Sequence, residues 1–313
     1  MISFILRRLA ATIPVMFTVA VMVFLMLRLT PGDPAAVIAG DNASQQQINE
    51  IRTKLGLDEP IVTQFFIWLG NTLRGDLGES FFFRKTVWEL IADRLEPTLS
   101  LAALTIIIAL VISIPLGVLA AYRQGTWIDR LVMGFSVIGF SVPVFVVGYL
   151  LIFVFSIQLG WFPVQGYQRL SGGFWPFLHS LVLPAVTLSV IYIALIARMT
   201  RTSMLEVLSE DYIRTARAKG QTETKVLFAH ALKNAAVPIA TVVGIGIALL
   251  IGGVVVTESV YTIPGLGRLT VDAVLARDFP VIQAIILFFS LIYVLINLIV
   301  DLTYTLFDPR IRY

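Results

Sequence analysis

The 313-residue chain has no cysteine, only two histidines, and few charges of either sign. Without cysteine there is no disulfide framework, no thiolate metal site and no thiol nucleophile. His179 and His230 are too few for a multi-histidine metal centre. Charged residues make up 14% of the chain, where soluble domains carry about 25%. Two chemical signatures are also missing. There is no G-x-x-x-x-G-K-[ST] phosphate loop, and the nearest wording, GQTETK at Gly220–Lys225, is not one. Nor is there an H-E-x-x-H pair on which a hydrolytic zinc could sit. The formal net charge of +3 is not gathered into a basic soluble patch, so a nucleic-acid partner is not expected. No cofactor is expected in this chain.

What the chain has in abundance is hydrocarbon: 58% apolar residues and a mean hydropathy of +0.88. A water-soluble fold this apolar would expose too much oily surface, so the composition implies residence in a lipid bilayer. A bilayer core of about 30 Å needs about 20 apolar residues in a helix. Six runs qualify or nearly do: Leu9–Leu29, Thr98–Tyr122, Leu131–Leu159, Phe174–Ala197, Ala235–Thr257 and Phe279–Val300. Arg28, at the end of the first run, is the one charge in the six. They are far longer than barrel strands, so helices are expected. The N-terminal run is too long for a signal peptide and is read as a retained span. Prolines punctuate the runs, with kinks expected near Pro115 and Pro143.

The predicted organisation is a first span over 1–30, an extracytoplasmic loop over 31–97, and a five-span core over 98–313 with a cytoplasmic loop at about 198–234. Arg7, Arg8, Arg123, Arg130 and the cations of 198–234 fall on one side, as do Arg310 and Arg312; Arg169, Arg268 and Arg277 fall on the other. Positive residues mark the cytoplasmic side, so both termini are expected inside a cytoplasmic (inner) membrane. In the long outer loop, Ser44 and Gln47 read as a capping box opening a helix that carries Ile48, Ile51 and Leu55 and stops at Gly56. That loop is read either as a lid on the outer mouth or as a docking surface.

The loop after the fourth run is patterned. Ser209 reads as an N-cap, Glu210 and Asp211 as an acidic first turn, and Arg214, Arg217 and Lys219 as a basic end before Gly220. This predicts a helix over Glu210–Lys219, and a second starting near Thr222 that runs into the fifth span. Small residues Ala216 and Ala218, beside Gly220, leave room for a partner to come close. Elsewhere, Ser141, Thr187, Tyr192, Asn297 and Asp301 are candidate pathway-lining groups. Ser141, Thr187 and Tyr192 equally fit as groups bonded to their own backbone, and Asp301 as an interfacial one. Glu258 is read as interfacial at the outer end of the fifth run. The glycines at Gly244–Gly246 and Gly252–Gly253 fit either close helix packing or a passage.

The stretch EDYIRTARAKGQTETKVLFAHALKNAAVPI resembles the cytoplasmic EAA signature of ABC-importer permeases, with Ala216, Gly220 and Leu232 on the pattern. RTARAKG with HALKNA is closer still to the B-type permeases of dipeptide, oligopeptide, glutathione and nickel importers. Further matches are FILRRL, TPGDP, GLDEP, GDLGES, PGLGRL, ARDFPVIQA and DPRIRY, spread over nearly the full length. The resemblance implies an all-α integral membrane protein with six transmembrane helices, the permease of a type I ABC importer. It further implies a second related permease as heterodimer partner, two ABC ATPase subunits carrying ATP and Mg, and an extracytoplasmic solute-binding protein. Glu210, Asp211, Arg214, Thr215, Ala216, Arg217, Lys219 and Gly220 are then similar to the coupling helix that enters a groove of the ATPase. Dipeptides or short oligopeptides are the expected solutes, with glutathione and nickel chelates as alternatives. A stand-alone secondary transporter would need coupling charges in mid-membrane, and a membrane hydrolase would need a nucleophile with its base; the runs supply neither.

Overall fold

The computed structural model describes residues 2–29, 35–36, 44–54, 56–80 and 82–307, with the side chains of 2–6, 27–29, 54 and 303–307 left out. The motifs at Thr30–Pro34 and Asp308–Tyr313, and Leu55, lie outside this description. Among the described residues every regular element is helical, apart from one antiparallel bridge between Glu79 and Thr86. The helices are α1 (Ile2–Leu29), α2 (Gln45–Lys54), α3 (Ile61–Leu73), α4 (Val87–Tyr122), α5 (Trp127–Ser141) and α6 (Val144–Leu151). There follow α7 (Phe174–Leu208), α8 (Asp211–Ala218), α9 (Glu223–Val260), α10 (Leu266–Leu275) and α11 (Phe279–Phe307).

Among the described residues five helices are long and apolar enough to cross a membrane: α1, α4, α7, α9 and α11. The sixth candidate is broken. The run Leu131–Leu159, expected as one span, is bent by 105° between Ser141 and Val144. Proline explains the break. Pro143 has no N–H to donate, and its ring pushes the preceding residue out of the helical region. Val142 is accordingly extended, at φ −85° and ψ 127°. Beyond Leu151 the helix continues as a π-type stretch, Ile152–Gln158. No such break occurs at Pro115: α4 is helical through both Pro97 and Pro115. It also begins well before the expected Thr98, because Thr86 Oγ1 accepts the Glu89 N–H at 3.3 Å and opens the helix earlier.

The chain divides into two compact units, one formed by 1–96 and 265–295, the other by 97–264 and 296–313. In the first, Val87, Leu90 and Ile91 of α4 pack with Leu266, Leu269 and Ala273 of α10 and with Val281, Ile282 and Ile285 of α11. A buried polar pair sits beside this cluster, where Ser80 Oγ donates to the Asp278 carboxylate. It joins two of the sequence motifs, GDLGES and ARDFPVIQA. The capping box on α2 is present, with Ser44 N–H donating to Gln47 Oε1 at 2.9 Å and Gln47 N–H to Ser44 Oγ at 3.3 Å.

In the second unit α7 is central. Its apolar window is 72% buried, against 28% for α9, so α7 is the helix the others pack around. Three of the span glycines mark close packing. A Cβ on Gly253 would meet Leu188 at 2.7 Å, one on Gly246 would meet the Tyr192 ring at 3.4 Å, and one on Gly244 would collide with Val300. Gly252 faces open space. Glu258, expected at the interface, is instead fully buried and accepts a hydrogen bond from Thr98 Oγ1 at 2.6 Å. A buried carboxylate is tolerable only with such partners.

Candidate functional site

The polar loop after α7 folds into a compact hairpin. The main chain leaves α7 at Ser209, whose hydroxyl donates back to Glu206 O at 2.7 Å. Ser209 therefore closes α7 and does not open α8, contrary to its expected role. Glu210 is the N-cap, extended at φ −71° and ψ 147°, and Asp211 is the acidic residue of the first turn. The difference is one residue, and the reason is local: Ser209 still has helical angles, so its side chain finds the carbonyl behind it before it can reach the amides ahead.

One large side chain holds α8 to the rest of the unit. Ile213 is completely buried, and it belongs to the same apolar cluster as Met204, Val226, Leu227 and Ala231. Ala216 is half-buried against that cluster. Its small size thus serves the chain's own packing. Asp211, Tyr212, Arg214, Thr215, Arg217, Ala218, Lys219 and Gly220 are exposed, so the outer face is polar, with one small residue, Ala218.

The end of α8 is shaped by Gly220, at φ +76°. There the Gly220 N–H donates to Arg217 O at 2.9 Å and the Gln221 N–H to Ala216 O at 3.2 Å, satisfying carbonyls that the helix end would orphan. Across this elbow Arg217 makes two bonds to the Glu223 carboxylate, at 2.9 and 3.3 Å, tying the end of α8 to the start of α9. Arg214 pairs with Asp211 at 3.1 Å, both highly exposed, so the pair is worth little by itself. Tyr212 Oη accepts from Asn234 Nδ2 at 2.9 Å, a second tie to α9. Between these ties α9 carries a π-type stretch, Val226–Ala231, a distortion that recurs at functional sites.

Sequence reading missed a further brace. Arg201, near the end of α7, grips the Asp129 carboxylate of α5 with two bonds, Nε at 2.5 Å and Nη2 at 2.8 Å. The Gly125 N–H donates to the same carboxylate at 2.9 Å. Asp129 is 4% exposed. A forked pair of this kind fixes direction as well as distance. Its one sequence signal was an acidic residue beside the predicted span at Leu131; the partner lies 72 residues away.

The five pathway candidates occupy different settings. Ser141 is exposed and its hydroxyl bonds Val137 O of its own helix. Thr187 is buried, bonded to Leu183 O at 2.9 Å and to Tyr261 Oη at 2.7 Å. Tyr192 is buried beside a cavity of about 10 Å³ lined by Ile106, Leu110, Gly246 and Leu250. Asn297 is exposed and Asp301 half-buried on α11.

Two family descriptions cover the chain. Residues 113–313 match the binding-protein-dependent transport system inner membrane component, and residues 1–102 match the N-terminal region of such membrane components. The chain belongs to this family. It is a permease subunit of an ABC importer, a multi-pass membrane protein. A probable peptide ABC transporter permease of Sinorhizobium fredii is 57% identical over 99% of both chains. A putative peptide transport system permease of Brucella abortus is 49% identical over 100% of both. The glutathione transport system permease of Escherichia coli K12 is 45% identical over 100% of both. Among solved structures, the inward-facing MetNI methionine ABC transporter matches with a TM-score of 0.59 at 21% identity, over 71% of this chain and 97% of that one. That likeness supports the fold of the permease.

Proposed function

We propose that this permease forms half of the translocation pathway of an importer for short peptides, with α8 as the lever through which ATPase subunits act on it. The observation that carries the lever reading is the construction of the hairpin. One buried anchor, Ile213, two ties to α9 through Arg217–Glu223 and Tyr212–Asn234, and an exposed polar face make a stiff element with an unclaimed surface. A push on such a face reaches α9 through hydrogen bonds and not through a floppy loop. ATP and Mg belong on the two partner ATPases, which perform the hydrolysis. A related second permease completes the path as a heterodimer, and an extracytoplasmic binding protein brings the solute. The complex sits in the inner membrane of a prokaryote with both termini of this chain in the cytoplasm.

Peptides lead as solute because the first two relatives above are named for peptide transport. Glutathione, itself a small peptide, is the second reading, from the 45% identical permease of Escherichia coli. The experiment is to purify the tagged chain with its native partners and measure ATP hydrolysis with and without the binding protein, loaded in turn with dipeptides, oligopeptides and glutathione. Two ATPases and a second permease in the complex, with hydrolysis raised by a peptide-loaded binding protein, support the proposal. A chain that purifies without any ATPase sinks it.

A further inference from the structure

Helix α3, Ile61–Leu73, has 13 residues and no charged side chain. At about 1.5 Å per residue it is about 20 Å long, too short for a hydrocarbon core of about 30 Å. Its residues sort onto three faces. Gln64 and Phe65 are buried and Trp68 is half-buried, so this face meets the protein. The Phe65 ring lies edge-on to Phe17 at 5.8 Å and to Phe24 at 5.2 Å, both on α1, and Trp68 is 5.6 Å from Phe24. Gln64 Nε2 donates to Leu57 O at 3.1 Å and Glu59 O at 2.7 Å, which fixes the entry to the helix. The second face is an apolar stripe of Val62, Phe66, Leu69 and Leu73. Val62, Phe66 and Leu73 are 63%, 61% and 80% exposed. The third face carries Thr63, Gly70 and Asn71, with Ile67 as its apolar exception.

Charge stands at both ends of the helix and nowhere in it: Asp58 and Glu59 before, Arg74 and Asp76 after. The last turn is closed by backbone bonds from Arg74 to Gly70, Gly75 to Thr72 and Asp76 to Asn71. The rings under α3 belong to a candidate membrane span, because α1 carries the apolar run Leu9–Leu29 and Phe17 lies near its middle, 49% exposed. Phe17, Phe65 and Phe66 form a line of edge contacts at 5.8 and 5.4 Å. The exposed stripe of α3 is therefore continuous with the exposed apolar surface of α1.

We propose that α3 is an interfacial helix whose partner is the bilayer itself. It lies along the leaflet that surrounds the C-terminal half of α1, with Val62, Phe66, Leu69 and Leu73 among the acyl chains and both charged ends at the headgroups. Helices of this kind seat about 5–10 Å into the headgroup–acyl boundary. That depth agrees with Phe65 lying between a mid-span ring and one near the span's end. It also explains an exposed apolar stripe that water would penalise.

This chain has no cysteine of its own, so a single introduced one reports one position once the partner subunits are freed of reactive cysteine. Single variants V62C and F66C, with M22C on α1 as lipid reference and Q46C on α2 as water reference, are spin-labelled in the full complex. The complex is reconstituted in vesicles of phosphatidylethanolamine and phosphatidylglycerol. Relaxation by oxygen is compared with relaxation by a water-soluble nickel chelate. At positions 62 and 66 oxygen is expected to dominate, as at 22, with the ratio inverted at 46. Nickel access at 62 and 66 matching that at 46 overturns the proposal in favour of a helix in water. Protection from both reagents overturns it in favour of a protein cover. A variant that fails to assemble with its partners is replaced by L73C, for which the same outcomes hold.

Discussion

Helix α8 buries one large side chain, Ile213, and presents charge and hydroxyl groups outward; α3 buries Phe65 and presents Val62, Phe66 and Leu73 outward. Both are short, both lie on connections between candidate spans, and neither is stable on its own at such a length. The difference is in what their free faces ask for. The α8 face offers directed polar groups, which suit a protein groove, whereas the α3 face offers undirected hydrocarbon, which suits lipid. Two loops of one membrane protein can thus be told apart by the chemistry of the side that the chain itself leaves uncovered.

The comparison is sharpened by cutting each anchor in turn. Phe65→Ala removes the ring that seats α3 on Phe17 and Phe24, at a cost of about 3–5 kcal/mol for such a truncation. Hydrogen exchange should rise across 56–75 and stay unchanged across 209–222. Ile213→Ala, at about 2–5 kcal/mol, should do the reverse and should also uncouple uptake from ATP hydrolysis, read as solute transported per ATP consumed. If either variant loosens both segments equally, the two anchors are not independent and the comparison breaks. Gly220→Ala forces a side chain into the left-handed region at about 1–2 kcal/mol. It should lower uptake less than Ile213→Ala while leaving assembly with the ATPases detectable by co-purification. Arg217→Ala removes a half-exposed pair worth about 0.2–1 kcal/mol, so thermal stability should hardly move. A small drop in coupling, restored by Arg217→Lys only in part, is the expected result, because lysine lacks the fork that meets Glu223 at two points.

Much of α8 was legible because helix ends are written locally. The acidic first turn at Asp211, the basic end at Arg217, and Gly220 each act within a few residues of where they stand. The start was off by one residue because Ser209 had two carbonyl or amide partners within reach, and sequence alone does not rank them. The 105° break at Pro143 was legible as a place but not as an angle, since a proline removes a bond without saying where the freed segment then packs. The inward turn of Ala216 was not legible, because a small residue reads the same whether its neighbour is a partner or its own chain.

Composition, run length and local end signals by themselves determined that this chain is an all-helical membrane protein with about six candidate spans and a short polar helix after Leu208. Those properties depend on the partition of side chains between water and lipid and on hydrogen bonds within a few residues. The tertiary structure alone decided the Asp129–Arg201 brace, the Ser80–Asp278 pair, the burial of Glu258 beside Thr98, and the exposed apolar face of α3. Each joins groups dozens to hundreds of residues apart or depends on which face a distant helix covers. Nothing local in the chain encodes such a choice; it is made only when the helices pack.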